Sequence, residues 1–178
     1  MIACDCDTCL STDPKYKRLR ASILIELNGK NYIVDAGPDF RTQMLREHVK
    51  QLDAILFTHE HKDHVAGLDD VRAFNFFSEK PMDIYCTDNV EVALRREFHY
   101  IFDGNNYPGV PKITLNRIDK HAFELDGIRI QPIEVLHYKL PVLGFRIGNF
   151  AYITDAKTVS QEEREKLKDV DILIVNAL

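Results

Sequence analysis

The sequence predicts an α+β domain in which strands outnumber helices and the chemistry sits at strand ends. Three observations carry that expectation. β-rich runs flank Asn28-Gly29 and again Gly148-Asn149, the short-range pattern of hairpins. An apolar run, Ala54-Ile55-Leu56-Phe57, passes through Thr58 into His59, His61, Asp63 and His64, spaced HxHxDH. Later, His137 and Asp155 each close a β-rich run.

A chain of 178 residues that is 45% hydrophobic is long enough to bury a real core, so residues 1–178 are expected to form one domain. The net charge of −5 offers no broad basic surface, and nucleic acid is not an expected partner. No window approaches the ~20 apolar residues of a membrane span, so no membrane partner is expected. The segment MIACDCDTC lacks the basic region and apolar core of a secretory signal, which points to the cytoplasm. Four cysteines in such a chain do not make a disulfide framework.

Taken in order, Cys4, Cys6 and Cys9 come first, as C-x-C-x2-C. Three thiols this close favour a zinc knuckle over residues 1–12, with a fourth ligand, such as a histidine, from a distant segment. Ser22 to Leu27 and Asn31 to Val34 read as the first hairpin. The second run ends in Asp35, which either orients a metal-ligating histidine or is a turn aspartate. Pro38 suits the first turn of a helix through Phe40, Met44 and Leu45.

The HxHxDH spacing fits no single helix face. Strand alternation would put His59, His61 and Asp63 on one side and His64 on the other. A loop curling past the strand end can instead aim one pair at one metal and a second pair at its neighbour. Neutral imidazoles with a carboxylate suit zinc, and also manganese or ferrous iron. A surface loop would rarely gather three of the seven histidines within six residues.

Beyond it, Leu68, Val71, Phe74, Phe76 and Phe77 suggest a helix on a sheet, and Arg72 is a solvated or salt-bridged arginine by default, with an anionic substrate as its functional alternative. Met82 to Cys86 reads as a strand, with Cys86 in the core. Thr87 or Asp88 caps a helix to about His99, with Val92, Leu94 and Phe98 apolar. Tyr100 to Pro111 is rich in Gly, Pro and Asn and reads as a loop, by default a plain connection, with Tyr107 its candidate substrate contact. Ile113 to Leu115, Phe123 to Leu125 and Ile128 to Val135 are strand-like, and His137 lies just past the last. Gly144 to Ile147 and Phe150 to Ile153 form the second hairpin, leading into Asp155. Ser160 caps a short helix, and Ile172 to Val175 reads as a last buried strand.

THEHKDH followed by xxGL resembles the signature of the metallo-β-lactamase superfamily. With CxCxxC, DAGPDFR, VLHxxxxxxGFRI and YITDA, the resemblance narrows to the PhnP-type phosphoribosyl cyclic phosphate phosphodiesterases and their relatives, and it runs through nearly the whole chain. It implies a four-layer αββα sandwich. It implies two divalent metal ions, zinc or manganese, with His59, His61 and His137 on one and Asp63, His64 and a bridging Asp155 on the other. Asp63 is then also counted as catalytic. Cys4, Cys6 and Cys9 would hold a separate structural zinc, and Asp35 would sit behind the ligands. The implied activity is attack on a small or cyclic phosphodiester by water activated between the metals.

Members of that group usually begin with a strand before the cysteines and run past a strand like ILIVNAL into further histidines. The chain is therefore expected to be truncated at both ends, with an incomplete sandwich whose open edge could pair in a homodimer. The alternative is a non-catalytic metal-binding accessory factor related to cofactor-biosynthesis proteins. A tRNA-processing nuclease is weaker, because no basic arm is inserted.

Overall fold

The computed structural model describes residues 2–104 and 107–176. One helical turn, α1 (Asp7–Leu10), crosses the cysteine segment. Strands β1 (Ile23–Leu27) and β2 (Lys30–Val34) pair antiparallel. Their turn residues Asn28 and Gly29 have φ of 53° and 75°, the positive values a tight two-residue hairpin needs. Then come α2 (Phe40–Arg46), β3 (Ala54–Leu56), α3 (Lys62–Val65), a 3-10 turn at Leu68–Val71, α4 (Arg72–Ser78) and β4 (Met82–Cys86). Helices α5 (Asp88–Glu97) and α6 (His99–Phe102) lead to β5 (Ile113–Arg117). β2, β3, β4 and β5 pair parallel in that order, so helical crossovers must join them.

The second sheet is a meander of β6 (Phe123–Leu125), β7 (Ile128–His137), β8 (Leu140–Ile147) and β9 (Phe150–Ile153), all antiparallel. After α7 (Gln161–Glu165), strand β10 (Ile172–Val175) joins the edge parallel to β9.

Three apolar clusters set the layers. Ile33, Ile55 and Ile84 pack against Phe40, Leu68, Val71, Val90 and Leu94 of the helical side. Tyr32, Val34, Ala54 and Leu56 point the other way and meet Leu143, Phe145 and Tyr152 between the sheets. Ile133, Val135, Val142 and Ile153 form the outer face of the second sheet, with Val159 and Leu167 on it. β2 and β3 thus bury both faces, which is why their sequences are apolar without alternation. Each fully buried Phe, Leu or Ile contributes roughly 1.5–3 kcal/mol. The result is the expected αββα order, with its fourth layer thin.

Several expectations need correction. β10 is exposed along all four residues, because it is an edge strand with nothing packed over it among the described residues. Phe76 and Phe77 are exposed and only Phe74 packs inward, since α4 is two turns long and turns one face to the core. Leu45 and Val92 are exposed, and the buried positions of α5 are Val90, Glu91, Ala93 and Leu94. Pro38 precedes α2 in a turn in which the Phe40 N–H donates to the Gly37 carbonyl. Part of the expected Tyr100–Pro111 loop is helical in α6, where Tyr100 donates to Asp69 Oδ1, and residues 105–106 lie outside the described residues. The strand of Gly144 begins earlier, at Leu140, as the long partner of β7.

Candidate metal centre

β2 and β3 run parallel and end side by side, Val34 paired with Leu56. Asp35 and Thr58 follow directly, so the two residues meet. The Asp35 N–H donates to the Leu56 carbonyl, and the Thr58 N–H donates to Asp35 Oδ1 at 2.8 Å. Asp35 has φ of 65°, a left-handed turn that aspartate tolerates and that folds its carboxyl back under the next loop.

That loop is seated by glycines. An added Cβ at Gly37 would lie 2.1 Å from the Asp63 carbonyl oxygen, and one at Gly67 would lie 2.2 Å from the Gly37 carbonyl oxygen. Two backbone bonds close the contact: Ala36 N–H donates to the His64 carbonyl and Gly67 N–H to the Ala36 carbonyl, each at 2.8 Å. From the second sheet, Leu143 N–H donates to the Thr58 carbonyl at 3.0 Å.

The hydrogen bonds fix both buried imidazoles. Thr58 Oγ1 donates to Asp35 Oδ2, so its oxygen accepts from His59 Nδ1–H at 2.9 Å. His64 Nδ1–H donates to Asp35 Oδ2 at 2.7 Å. In each ring the other nitrogen, Nε2, is left facing the cluster. His59 Nε2 is buried and has no hydrogen-bond partner. Asp155 enters from the end of β9 on another left-handed turn, φ 53°, with Oδ2 2.7 Å from His64 Nε2 and 3.7 Å from His59 Nε2.

The ligand atoms of His59, His64 and Asp155 all lie within 4.8 Å of one another. Two imidazoles held by backing hydrogen bonds, one with an orphaned buried nitrogen, plus a carboxylate, fit a divalent metal of the zinc type. Burial lowers the His59 pKa to about 3, helped by the neighbouring His64, His61 and His137, so this ring is neutral and able to ligate. Burial opposes charge on His64, but the Asp35 bond and the Asp155 and Asp63 carboxylates outweigh it and raise its pKa. Burial raises the Asp35 carboxyl against the pull of His64 and Thr58.

The remaining expected ligands ring this centre. The His61 ring lies 4.6 Å from the His59 ring and 5.4 Å from that of His137, which closes β7. Asp63 is 43% exposed, its Oδ2 3.8 Å from His64 Nε2. The structure therefore brings His59, His64 and Asp155 closest together. It does not sort the six residues into the two sets of three that the resemblance implies. Cys4, Cys6 and Cys9 form a second group within the same 4.8 Å limit. Bonds from the Cys9 N–H and from the neighbouring thiols lower the Cys6 pKa to about 7, the direction that favours a metal-binding thiolate. Cys86 is buried in the helical-side core, which pushes its thiol up to about 12.

Two participants escaped the sequence reading. Thr58 sits inside THEH, but only the tertiary contact with Asp35 reveals its role. Arg20 lies in an unremarkable charged stretch, and its guanidinium reaches Asp63 at 3.6 Å. Arg72 pairs with Asp69, the salt-bridged default rather than a substrate contact. Tyr107 borders a separate cavity with Pro81, Ile101 and Val110, away from the histidines.

Known proteins share this fold. A model of the beta-lactamase superfamily domain matches residues 30–178. A diphosphatase from the PhnP family superposes with a TM-score of 0.88 at 38% identity, over 97% of this chain and 66% of that one. An octanoyltransferase of Porphyromonas gingivalis is 40% identical over 179 residues, which cover 99% of this chain and 36% of that protein. Ribonuclease Z of Staphylococcus epidermidis is 28% identical over 142 residues, 75% of this chain and 45% of that protein. The chain thus spans less than half of each of these two curated relatives.

Proposed function

Because this chain belongs to the beta-lactamase superfamily, we propose that it is a metal-dependent hydrolase acting on a small or cyclic phosphodiester. The carrying observation is the pair of imidazoles whose Nδ1 hydrogens are committed to Thr58 and Asp35, leaving both Nε2 atoms turned toward Asp155. That arrangement fixes the tautomer of each ring and presents Nε2 as the ligating nitrogen.

His59, His64 and Asp155 would hold one divalent ion, zinc or manganese. His61, Asp63 and His137 would complete its sphere and hold a second. When bound, such ions supply Lewis acidity toward phosphoryl oxygens and an acidified water. The protein's own part is to fix the donors. Thr58 and Asp35 lock the two tautomers, the Gly37–Gly67 contact seats Asp63 and His64, and Asp63 contributes a half-exposed carboxylate at the mouth of the site. The cysteine group would hold a separate structural zinc.

Hydrolysis at phosphorus is supported by two relatives, a diphosphatase and a ribonuclease, of which the ribonuclease cleaves a phosphodiester. The net charge of −5 argues against a long nucleic acid and for a small substrate. The octanoyltransferase name belongs to a protein of which this chain matches 36%, and it selects no reaction for that portion. The test is metal content together with hydrolysis of bis(p-nitrophenyl) phosphate, for wild type, Asp63→Ala and His59→Ala. The expected result is turnover by wild type and its loss in both variants. Metal bound without turnover, even with added zinc or manganese, would favour a non-catalytic metal-binding factor.

A further inference from the structure

We propose that Arg20 is a phosphate-binding residue of this site, a role that rests on the phosphoester reading and extends it. One carboxylate oxygen joins the guanidinium to the centre: Asp63 Oδ2 lies 3.6 Å from Arg20 Nη1 and 3.8 Å from His64 Nε2. A phosphoryl group bound among the histidines lies within one side chain's reach of Arg20.

The arginine is held in place through its backbone, not through its charge. Its N–H donates to Asp39 Oδ2 at 2.8 Å, and its carbonyl accepts from Gln43 Nε2 at 2.9 Å. Both partners belong to the turn and helix that follow Asp35. The Arg20 Cβ also borders Gly37, the residue against which the Asp63 carbonyl packs. The root of the side chain is therefore fixed to the metal loop, while the side chain itself is 60% exposed. A guanidinium presents five donors in a planar fork that matches phosphate oxygens. A single 3.6 Å approach to Asp63, on a side chain that is 60% exposed, leaves donors of that fork open to an incoming anion.

Other cations on or beside the ligand segments are differently engaged. Lys62 pairs with Glu97, and Arg72 with Asp69. Lys139 and Lys157 lie over the Tyr138 ring. In a chain of net charge −5, Arg20 is, among the described residues, the cation paired with a proposed metal-binding carboxylate. A substrate anion that displaced this contact would gain a charge-assisted hydrogen bond without moving the backbone.

The test uses the full chain loaded with zinc, as wild type, Arg20→Gln and Arg20→Lys. Inorganic phosphate binding is measured by calorimetry, zinc per chain by mass spectrometry, and bis(p-nitrophenyl) phosphate hydrolysis on the same preparations. The structural bonds of Arg20 are main-chain, so thermal midpoints should agree among the three. Arg20→Gln should weaken phosphate binding about tenfold, the loss of one hydrogen bond between charged groups, at unchanged zinc content. Arg20→Lys should recover part of the loss. Equal phosphate affinity in all three proteins, or no phosphate binding by wild type, overturns the proposal. So does a fall in zinc that accounts for the weaker binding, because Arg20 would then act by positioning Asp63. Weakened phosphate binding without any hydrolysis would keep Arg20 and sink the hydrolase reading. Hydrolysis with unchanged phosphate affinity in Arg20→Gln would do the reverse.

Discussion

Asp35 Oδ2 accepts from His64 Nδ1 at 2.7 Å and from Thr58 Oγ1 at 2.8 Å, with the whole Asp35 residue buried. One oxygen thus orients His64 directly and His59 through Thr58. Replacing Asp35 by Asn would turn an amide toward one of these donors and unlock the rings. We expect zinc affinity to fall about 10–100-fold. Competition with a chelator measures it, and an affinity within twofold of wild type would reduce Asp35 to a turn residue.

Gly67 offers a purely steric test. A Cβ there would meet the Gly37 carbonyl oxygen at 2.2 Å and the Phe40 Cβ at 2.6 Å, and neither is a flexible side-chain end. Gly67→Ala should cost about 1–3 kcal/mol in urea unfolding, the usual range for overpacking. It should also lower metal content, because the displaced turn carries His64. A variant as stable as wild type with full metal would show that the turn relaxes freely.

Away from the site, Glu91 on α5 gives a pH signature. Bonds from Arg117 and Arg95, both near 2.7 Å, hold its carboxyl below the ordinary glutamate range. A depressed folded value adds stability above the unfolded pKa of about 4.3. That stability is lost as pH falls through the lower folded value. The advantage of wild type over Glu91→Gln should therefore be full at pH 6 and vanish in strong acid. Urea midpoints measured down the pH scale check this, and parallel profiles would refute it.

The cysteine group should be separable from the histidine centre. Cys6→Ser removes one of three thiols that lie together. Zinc per chain should fall by one equivalent, with hydrolysis by the remaining centre retained. Loss of all metal would mean that the two sites depend on each other.

Much of this architecture is legible in the residues themselves. Hairpins announce themselves through Asn28-Gly29, where both turn residues take positive φ, and Gly148-Asn149, where Gly148 does. His59, His61, Asp63 and His64 stand out because ligands dense in sequence are dense in space. What stayed hidden depends on contacts between distant segments. Thr58 bonds Asp35 and His59, an arrangement that no local pattern encodes. Arg20 reaches Asp63 only because Asp39 and Gln43 hold its backbone. The exposure of β10 has a related reason: Ile172 to Val175 is an apolar run, but burial requires a layer packed over the strand's faces, and none of the described residues supplies one. Phe76 and Phe77 show the same limit on α4.

The Leu143-to-Thr58 hydrogen bond, with Asp155 entering from β9, means that neither sheet owns the centre. During synthesis the N-terminal sheet emerges first, carrying His59 and His64 without their carboxylate partner from β9. The donor set closes only after the second sheet has folded against the first. An ion held there would then act as a cross-link between the two halves of the chain, and its capture would report that folding is complete.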